Sequence, residues 1–299
     1  AQLLIAFYSV RSDRLFCEQL DYNLLFRWFL DLDLESSGLD QSNFSRLRER
    51  LVETDIARRF FDEVVRLARK DKLLSSDHFT VDGTLIEAWA SFKSFKRKDD
   101  DEPPKPGDGT GMVDFKGEKR SNATHQSTTD PDAKLMRKGN GQPAKLSYGG
   151  HALMENRSGL CVDLLITDAT LAEHQAARQL LTRARRRKIH PKTLGADKGY
   201  HVKDFVQHLR EHKIKPHIAR IDGRKTPGLD GRTSCTEGYK VSQRKRKRIE
   251  EIFGWLKTVG GMRKTRFIGE ARTQIAAYLS AAAYNLLRIA KLQTAGSAA

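Results

Sequence analysis

Cysteine is scarce in this sequence. Cys17, Cys161 and Cys235 are the only three in 299 residues and form no CxxC pair, which excludes a cysteine-built zinc site and a disulfide scaffold and leaves them as free thiols. Long apolar runs are missing too. None approaches the roughly 20 residues that span a bilayer, and no cleavable signal pattern is visible, so membrane-embedded and secreted classes fall away. Acid is in deficit: 38 Asp and Glu stand against 54 Lys and Arg, a net charge of +16 at pH 7. Such an excess favours a polyanionic partner, nucleic acid ahead of an anionic membrane surface, and a cytoplasmic protein. Two nucleotide and metal signatures fail as well. The GDGTG string at 107–111 has no apolar strand before it and no Lys-Ser/Thr after it, so it is no phosphate loop. His208 and His212 sit four apart without the glutamate of an HExxH motif and read as a solvated helix face.

The chain opens at Ala1 inside the apolar segment AQLLIAFY, which reads as the remainder of an element begun upstream. Over residues 1–74 apolar side chains recur at helical spacing, as in Leu20, Leu24 and Trp28 or Phe60, Val64 and Leu67, so this part is expected to be all-helical. In DQSNFSRLRERL either Asp40 or Ser42 serves as N-cap, and Asn43, Arg46 and Arg50 then share one face. That face can enter a major groove, although solvated surface arginines are commoner.

From residue 75 to 293 strands and helices mix. HFTVDGTLIEAWAS reads as a strand with a turn at Asp82-Gly83. A polar, flexible insertion is expected over about 96–144, and a disordered tail over 294–299. KLSYGGHALME and LCVDLLITDA read as strands joined by the turn NRSG. TLAEHQAARQLLTRARRRK reads as a helix with Thr170 and Glu173 as its capping box. A strand ending at Asp197, the helix VKDFVQHLREHK, the strand IKPHIAR and a long Ala/Leu-rich helix complete a mixed α/β domain.

Chemistry concentrates at three acids. Asp82 and Asp197 are expected at strand ends and Glu250 on a helix, positions that hold carboxylates rigidly and let them share divalent cations. In KRKRIEEIFGWLK the residues Ile249, Ile252, Phe253 and Leu256 make an apolar arc, with Arg246, Glu250 and Lys257 along its edge. Glu251 points away, placed to pair with Lys247. A charged row beside an apolar arc is also what any surface helix presents; the two aspartates and the basic chain raise it above that. Asp130 and Asp132 are left to the insertion and Glu173 to its cap. His151 is a candidate phosphate contact. The basic runs at 183–188 and 244–248 read as solvated faces that can offer salt-sensitive DNA contacts, and Trp89 and Trp255, which could stack on an unpaired base at a cleaved end, are expected in the core.

These motifs resemble the DDE transposases of bacterial insertion sequences, specifically the insertion-sequence-five group of the insertion-sequence-four-like superfamily. YNLLFRWFLDLDL and SNFSRLRERL resemble its helical amino-terminal region; VDGTLIEAWASFKS, TTDPDAKL, LSYGGHA and LGADKGYH its core motifs; and RIEEIFGWLKTVGGMRKTRF its closing signature. The superfamily's Tyr-x2-Arg-x3-Glu-x6-Lys pattern is met by Arg246, Glu250 and Lys257, while its tyrosine position holds Gln243. The resemblance implies an α/β, RNase H-like mixed sheet flanked by helices, with Asp82, Asp197 and Glu250 as catalytic acids holding Mg²⁺, for which Mn²⁺ can substitute. It implies DNA as partner, both terminal inverted repeats and target, with Arg246, Lys257 and Lys198 on phosphates and Asn43, Arg46 and Arg50 on the amino-terminal DNA-binding face. It also implies a homodimer on paired ends, acting at the bacterial nucleoid. A transposase-derived DNA-binding protein unable to cut, and a nuclease of the same fold without strand transfer, are the alternatives.

Overall fold

The computed structural model describes residues 1–98 and 120–297; the GDGTG string and much of the expected insertion lie outside the described residues. Four short helices open the chain: α1 (Gln2–Phe7), α2 (Asp13–Tyr22), α3 (Leu24–Phe29) and α4 (Gln41–Glu53). They enclose a small core of Leu4, Phe16, Leu20, Phe26 and Phe44. Their starts are capped as local chemistry dictates. Ser12 accepts from the Leu15 amide, Asn23 from Phe26, and Asp40, rather than Ser42, from Asn43. The Asn23 cap breaks the expected stripe. It ends α2 and restarts the chain as α3, so Leu24 and Trp28 lose phase with Leu20 and Trp28 stands 76 % exposed. The buried Arg27 guanidinium donates to the carbonyls of Leu20 and Ser36 at 3.0 and 2.7 Å and fixes the following loop.

Helix α5 (Ile56–Lys70) follows. Although it falls within the helical stretch expected over 1–74, its face Ala57, Phe61, Val64, Val65 and Ala68 joins the second, larger core. That core surrounds a six-stranded sheet. Its strands are β1 (His78–Glu87), β4 (Lys134–Met136), β5 (Lys145–Glu155), β6 (Leu160–Asp168), β7 (Thr193–Ala196) and β8 (Lys215–Ile218), while β2 (Phe95–Arg97) and β3 (His125–Ser127) form a separate ribbon. β5 pairs antiparallel with β1 on one edge and with β6 and β4 on the other, and β7 and β8 continue parallel to β1. The order β6–β5–β1–β7–β8, antiparallel then parallel, is that of the RNase H-like sheet. β5 and β6 are buried along nearly their whole length, as strands covered on both faces must be. The turn between them is the expected NRSG, with Gly159 at φ +72.

The helices that cover the sheet are α6 (Glu173–Arg186), α7 (Lys203–Glu211), α8 (Gly231–Ser234), α9 (Glu237–Lys245), α10 (Ile249–Thr258) and α11 (Glu270–Ser297). α6 packs on β1, β5 and β6, α10 on β1, and α11 on β6 and α5. α11 takes in residues 294–297, expected in the tail. Part of the expected insertion is also built in. Asp130 is fully buried and accepts from Tyr148 Oη at 2.6 and 2.7 Å, and Asp132 accepts from the Glu270 amide at 3.0 Å, capping α11.

The basic run at 183–188 is partly structural. Arg187 pairs with Asp62 of α5 at 2.6 Å and with Asp163 of β6 at 2.9 Å. Asp163 is 1 % exposed, and burial raises its carboxyl above the ordinary range despite Arg187, Arg183 and Arg58. Removing one partner from a buried pair strands the other charge. Arg187→Ala is therefore expected to lower unfolding free energy by about 3 kcal/mol, read from urea midpoints, with Asp163→Leu recovering most of it in the double variant. A single variant as stable as the parent contradicts this role.

Candidate active site

Asp82 does not end a strand. β1 runs straight through it, with Asp82 opposite Ala152 and Gly83 opposite His151 of β5. Its Oδ1 accepts from the Gly83 amide at 2.8 Å. The parallel neighbour β7 ends at Ala196, and Asp197 follows at once, its Oδ1 accepting from the Gly199 amide at 2.8 Å. Glu250 lies in the first turn of α10, where the helix dipole favours a carboxylate. Asp82 responds to the other two. Burial pushes Asp82 up to about 6, the Gly83 amide opposes that, Asp197 and Glu250 raise it further, and Arg246 lowers it.

Among the described residues the one set of three ligand-type side chains whose ligand atoms all lie within 4.8 Å is His208, Glu211 and His212 on α7, not the three acids. A pair of cations about 4 Å apart does not require all its carboxylates to meet at one point. The α7 histidines, expected on a solvated face, are half-buried with ring centroids 4.3 Å apart.

α10 is held by side chains from the basic run at 244–248. Its apolar face is Ile249, Ile252, Phe253 and Leu256, as the wheel requires. Arg248 donates to the carbonyls of Asn156 and Arg157 in the β5–β6 turn, at 2.8 Å each. Gln243 donates to the His217 carbonyl and accepts from Arg246 Nε at 3.1 Å, so the residue at the tyrosine position orients Arg246. Lys257 Nζ donates to Thr84 Oγ1 at 2.6 Å, two residues along β1 from Asp82. Glu251 faces Arg248 and Arg288 at 3.7 and 3.9 Å rather than Lys247. The reason is local: residues 246–248 form a 3₁₀ turn, which shifts the phase of the preceding residues.

Glu173 is not a helix cap. Asp168 Oδ1 takes both the amide and the hydroxyl of Thr170, at 2.7 Å each, and α6 begins at Glu173 behind Ala172. The freed carboxylate turns toward the acids. A methyl group on Gly83 would lie 2.8 Å from Glu173 Oε1 and 3.1 Å from His151 Nδ1. One on Gly199 would lie 3.3 Å from Glu173 Oε2 and 3.1 Å from Asp197 Oδ1. Burial, then Asp197 and Asp82, push Glu173 up to about 7. Asp82-Gly83 thus marks close approach within a strand, not a turn. Consecutive residues of β1 face opposite sides: Gly83 faces α6, and Thr84 faces α10.

His151 is 3 % exposed and burial pushes it down to about 4, so it is a neutral interior group and not a phosphate contact. Its Nε2 stands 3.1 Å from Thr167 Oγ1, whose proton goes to the Asp168 carbonyl at 2.9 Å. That chain puts the imidazole proton on Nε2 and leaves Nδ1 as a bare acceptor.

Farther out, Asn43, Arg46 and Arg50 are exposed on α4, with Arg46 Nη2 donating to Asn43 Oδ1 at 2.6 Å; Lys198 is exposed beside Asp197. Arg48 and Arg266 both pair with the buried Asp13, and Arg272 with Glu49 at 2.7 Å, docking the helical region against the 258–272 segment. A cleft of about 430 Å³ between them is lined by Arg11, Arg48, Lys264, Arg266 and Trp89. Trp89 is exposed, not in the core, with Lys264 Nζ 5.6 Å from its ring centroid. Trp255 packs edge-on against Tyr284.

The Transposase DDE domain model matches residues 119–286, a span that includes Asp197 and Glu250 and begins after Asp82; the Transposase domain (DUF772) model matches residues 1–50. No curated relative matches the sequence. The piggyBac transposase synaptic complex with hairpin DNA is similar at 11% identity and a TM-score of 0.47, over 99% of this chain and 65% of that one. The Mos1 transposase paired-end complex with left transposon end is similar at 11% identity and a TM-score of 0.25, over 84% of this chain and 78% of that one. The chain therefore spans less than two thirds of the piggyBac chain. Among the described residues no helix is long and apolar enough to cross a membrane.

A methyl group on Gly149 would meet both His151 Nε2 and Thr167 Oγ1 at 2.8 Å, on the bond that fixes the imidazole. Gly149→Ala is expected to cost on the order of 1–3 kcal/mol, visible as a lower urea midpoint with an unchanged slope. An unshifted midpoint would show that the histidine yields freely.

Proposed function

The chain belongs to the Transposase DDE domain family, and from that premise we propose that it is a DNA transposase. It binds the terminal inverted repeats of its element, cleaves phosphodiester bonds and joins the freed 3′ ends to target DNA. The observation that carries this reading is the parallel register of β1 and β7, which sets Asp82 beside the end of β7 where Asp197 follows, with Glu250 at the start of α10 close enough to raise the Asp82 carboxyl. The donor set is all carboxylate oxygen, which suits Mg²⁺, or Mn²⁺ in its place, rather than a thiolate- or imidazole-seeking metal. When bound, a pair of such ions activates the attacking oxygen and neutralises charge on the leaving oxygen.

The chain's own groups do the rest. Asp82, on which both other acids act, would hold the ions together with Asp197 and Glu250. Arg246, held by Gln243, presents a planar fork suited to phosphate. Lys257 and Lys198 add point charges on either side. Asn43, Arg46 and Arg50 give α4 a polar, basic face for the repeat. Exposed basic residues elsewhere supply affinity that falls steeply with salt. Two copies act together, since two element ends must be joined.

The test is a Mg²⁺ or Mn²⁺ titration of the full chain with DNA carrying its own terminal repeat. Asp82→Asn, Asp197→Asn and Glu250→Gln are each expected to slow cleavage by more than about 100-fold with repeat binding retained, while Glu251→Gln cleaves normally. Pre-cleaved ends offered a target plasmid should be joined. Cutting without joining identifies a nuclease, and binding without cutting a DNA-binding derivative; either outcome overturns the proposal.

A further inference from the structure

The proposed acids leave Glu173 unused, although it is the carboxylate whose surroundings most require a counter-charge. Both of its oxygens point into the space beside the acids: Oε1 over Gly83, next to Asp82, and Oε2 toward the point near Gly199 that Asp197 Oδ1 also approaches. Among the described residues no hydrogen-bond donor and no cationic side chain pairs with it. The group it does face across Gly83, His151 Nδ1, is an acceptor without a proton and without a partner. Two lone-pair groups directed at one space repel unless a cation or a proton lies between them.

A second observation comes from a different side chain. Tyr200 is 0 % exposed, and its hydroxyl has no hydrogen-bond partner. The charges that act on it are Glu173 first, then Asp82 and Asp197. A fully buried, unpartnered hydroxyl close enough to a carboxylate cluster to feel its charge is a donor with one class of acceptor to serve. It stands where it can orient a carboxylate oxygen or a ligand held by one.

We propose that Glu173 is a fourth carboxylate of the metal site, sharing with Asp197 the cation on the α6 side of β1, with Tyr200 as the positioning residue that aims it. The inference rests on the transposase reading of Asp82, Asp197 and Glu250 and adds a ligand to that site. Gly83 follows from it: a side chain there would meet the Glu173 carboxylate at 2.8 Å. The isosteric Glu173→Gln removes the charge and keeps the volume.

The probe is Mn²⁺ alone, titrated into the full chain without DNA and followed by electron paramagnetic resonance, in a His208→Ala background that dismantles the imidazole set on α7. Glu173→Gln and Glu173→Ala are each expected to weaken Mn²⁺ binding by about tenfold or more. In EDTA, Glu173→Gln should melt at least about 2 °C above the parent, because an unpaired half-buried charge is gone, and Mn²⁺ should raise its midpoint less. Tyr200→Phe should weaken Mn²⁺ binding by a smaller factor with its EDTA midpoint unchanged or higher. Unaltered Mn²⁺ affinity in Glu173→Gln, or an EDTA midpoint below the parent's, overturns the proposal and returns Glu173 to a structural role. Asp197→Asn separates the two readings: if it loses Mn²⁺ and Glu173→Gln keeps it, the fourth ligand alone is wrong. If Asp197→Asn also keeps it, the transposase site itself is wrong.

Discussion

The parallel pairing of β1 with β7 is the constraint from which the site follows. Phe79 lies opposite Leu194 and Thr80 opposite Gly195, so Asp82 and Asp197 are carried forward side by side from two strands that are remote in sequence. α10 then approaches one face of β1 and α6 the other, and each brings a glutamate. Concentrating like charges in half-buried space costs free energy, and the fold supplies rigid elements that keep the groups from drifting apart. β5 and β6 are buried on both faces, Arg248 clamps the start of α10 to their turn, and Gln243 fixes Arg246 to β8. In the proposed site this repulsion exists before any ligand arrives, which would preorganise it for cations.

The chain's large positive charge divides into two populations. Arg27, Arg187 and Arg248 satisfy carbonyls or buried carboxylates, and Arg48 and Arg266 meet on Asp13 to join the helical region to the segment after α10. These are structural cations, and their loss weakens the fold rather than its affinity for a polyanion. Arg46, Arg50, Lys198 and most of the basic run at 183–188 face solvent and are available to phosphate. A basic run therefore cannot be taken as a surface: of the five residues at 244–248, Arg248 is an anchor and Arg246 belongs to the site.

Much of this was legible in the residues. The NRSG turn marked off β5 and β6 as paired strands; the apolar wheel of α10 placed Ile249, Ile252, Phe253 and Leu256 inward; Asp197 stood after a short strand. What escaped was set by tertiary contact. Asp82-Gly83 carries a turn's composition, and only the carboxylate packed over Gly83 shows that the strand continues. Thr170 and Glu173 have the spacing of a capping box, but Asp168 takes the threonine first and the helix cap moves two residues on, to Ala172. Glu251 missed Lys247 because the 3₁₀ turn at Arg246 changes the angle per residue. Asp130 sits in a stretch of loop composition, and its burial depends on Tyr148, a strand residue whose partner no local pattern names.

Cations are proposed to be held by Asp82, Asp197 and Glu250, and anomalous diffraction from crystals of the full chain soaked in Mn²⁺ locates them directly. Peaks within coordination distance of Asp82 and Asp197, with a second position toward Glu250, are the predicted result. Peaks confined to His208, Glu211 and His212, with none beside β1, would contradict it.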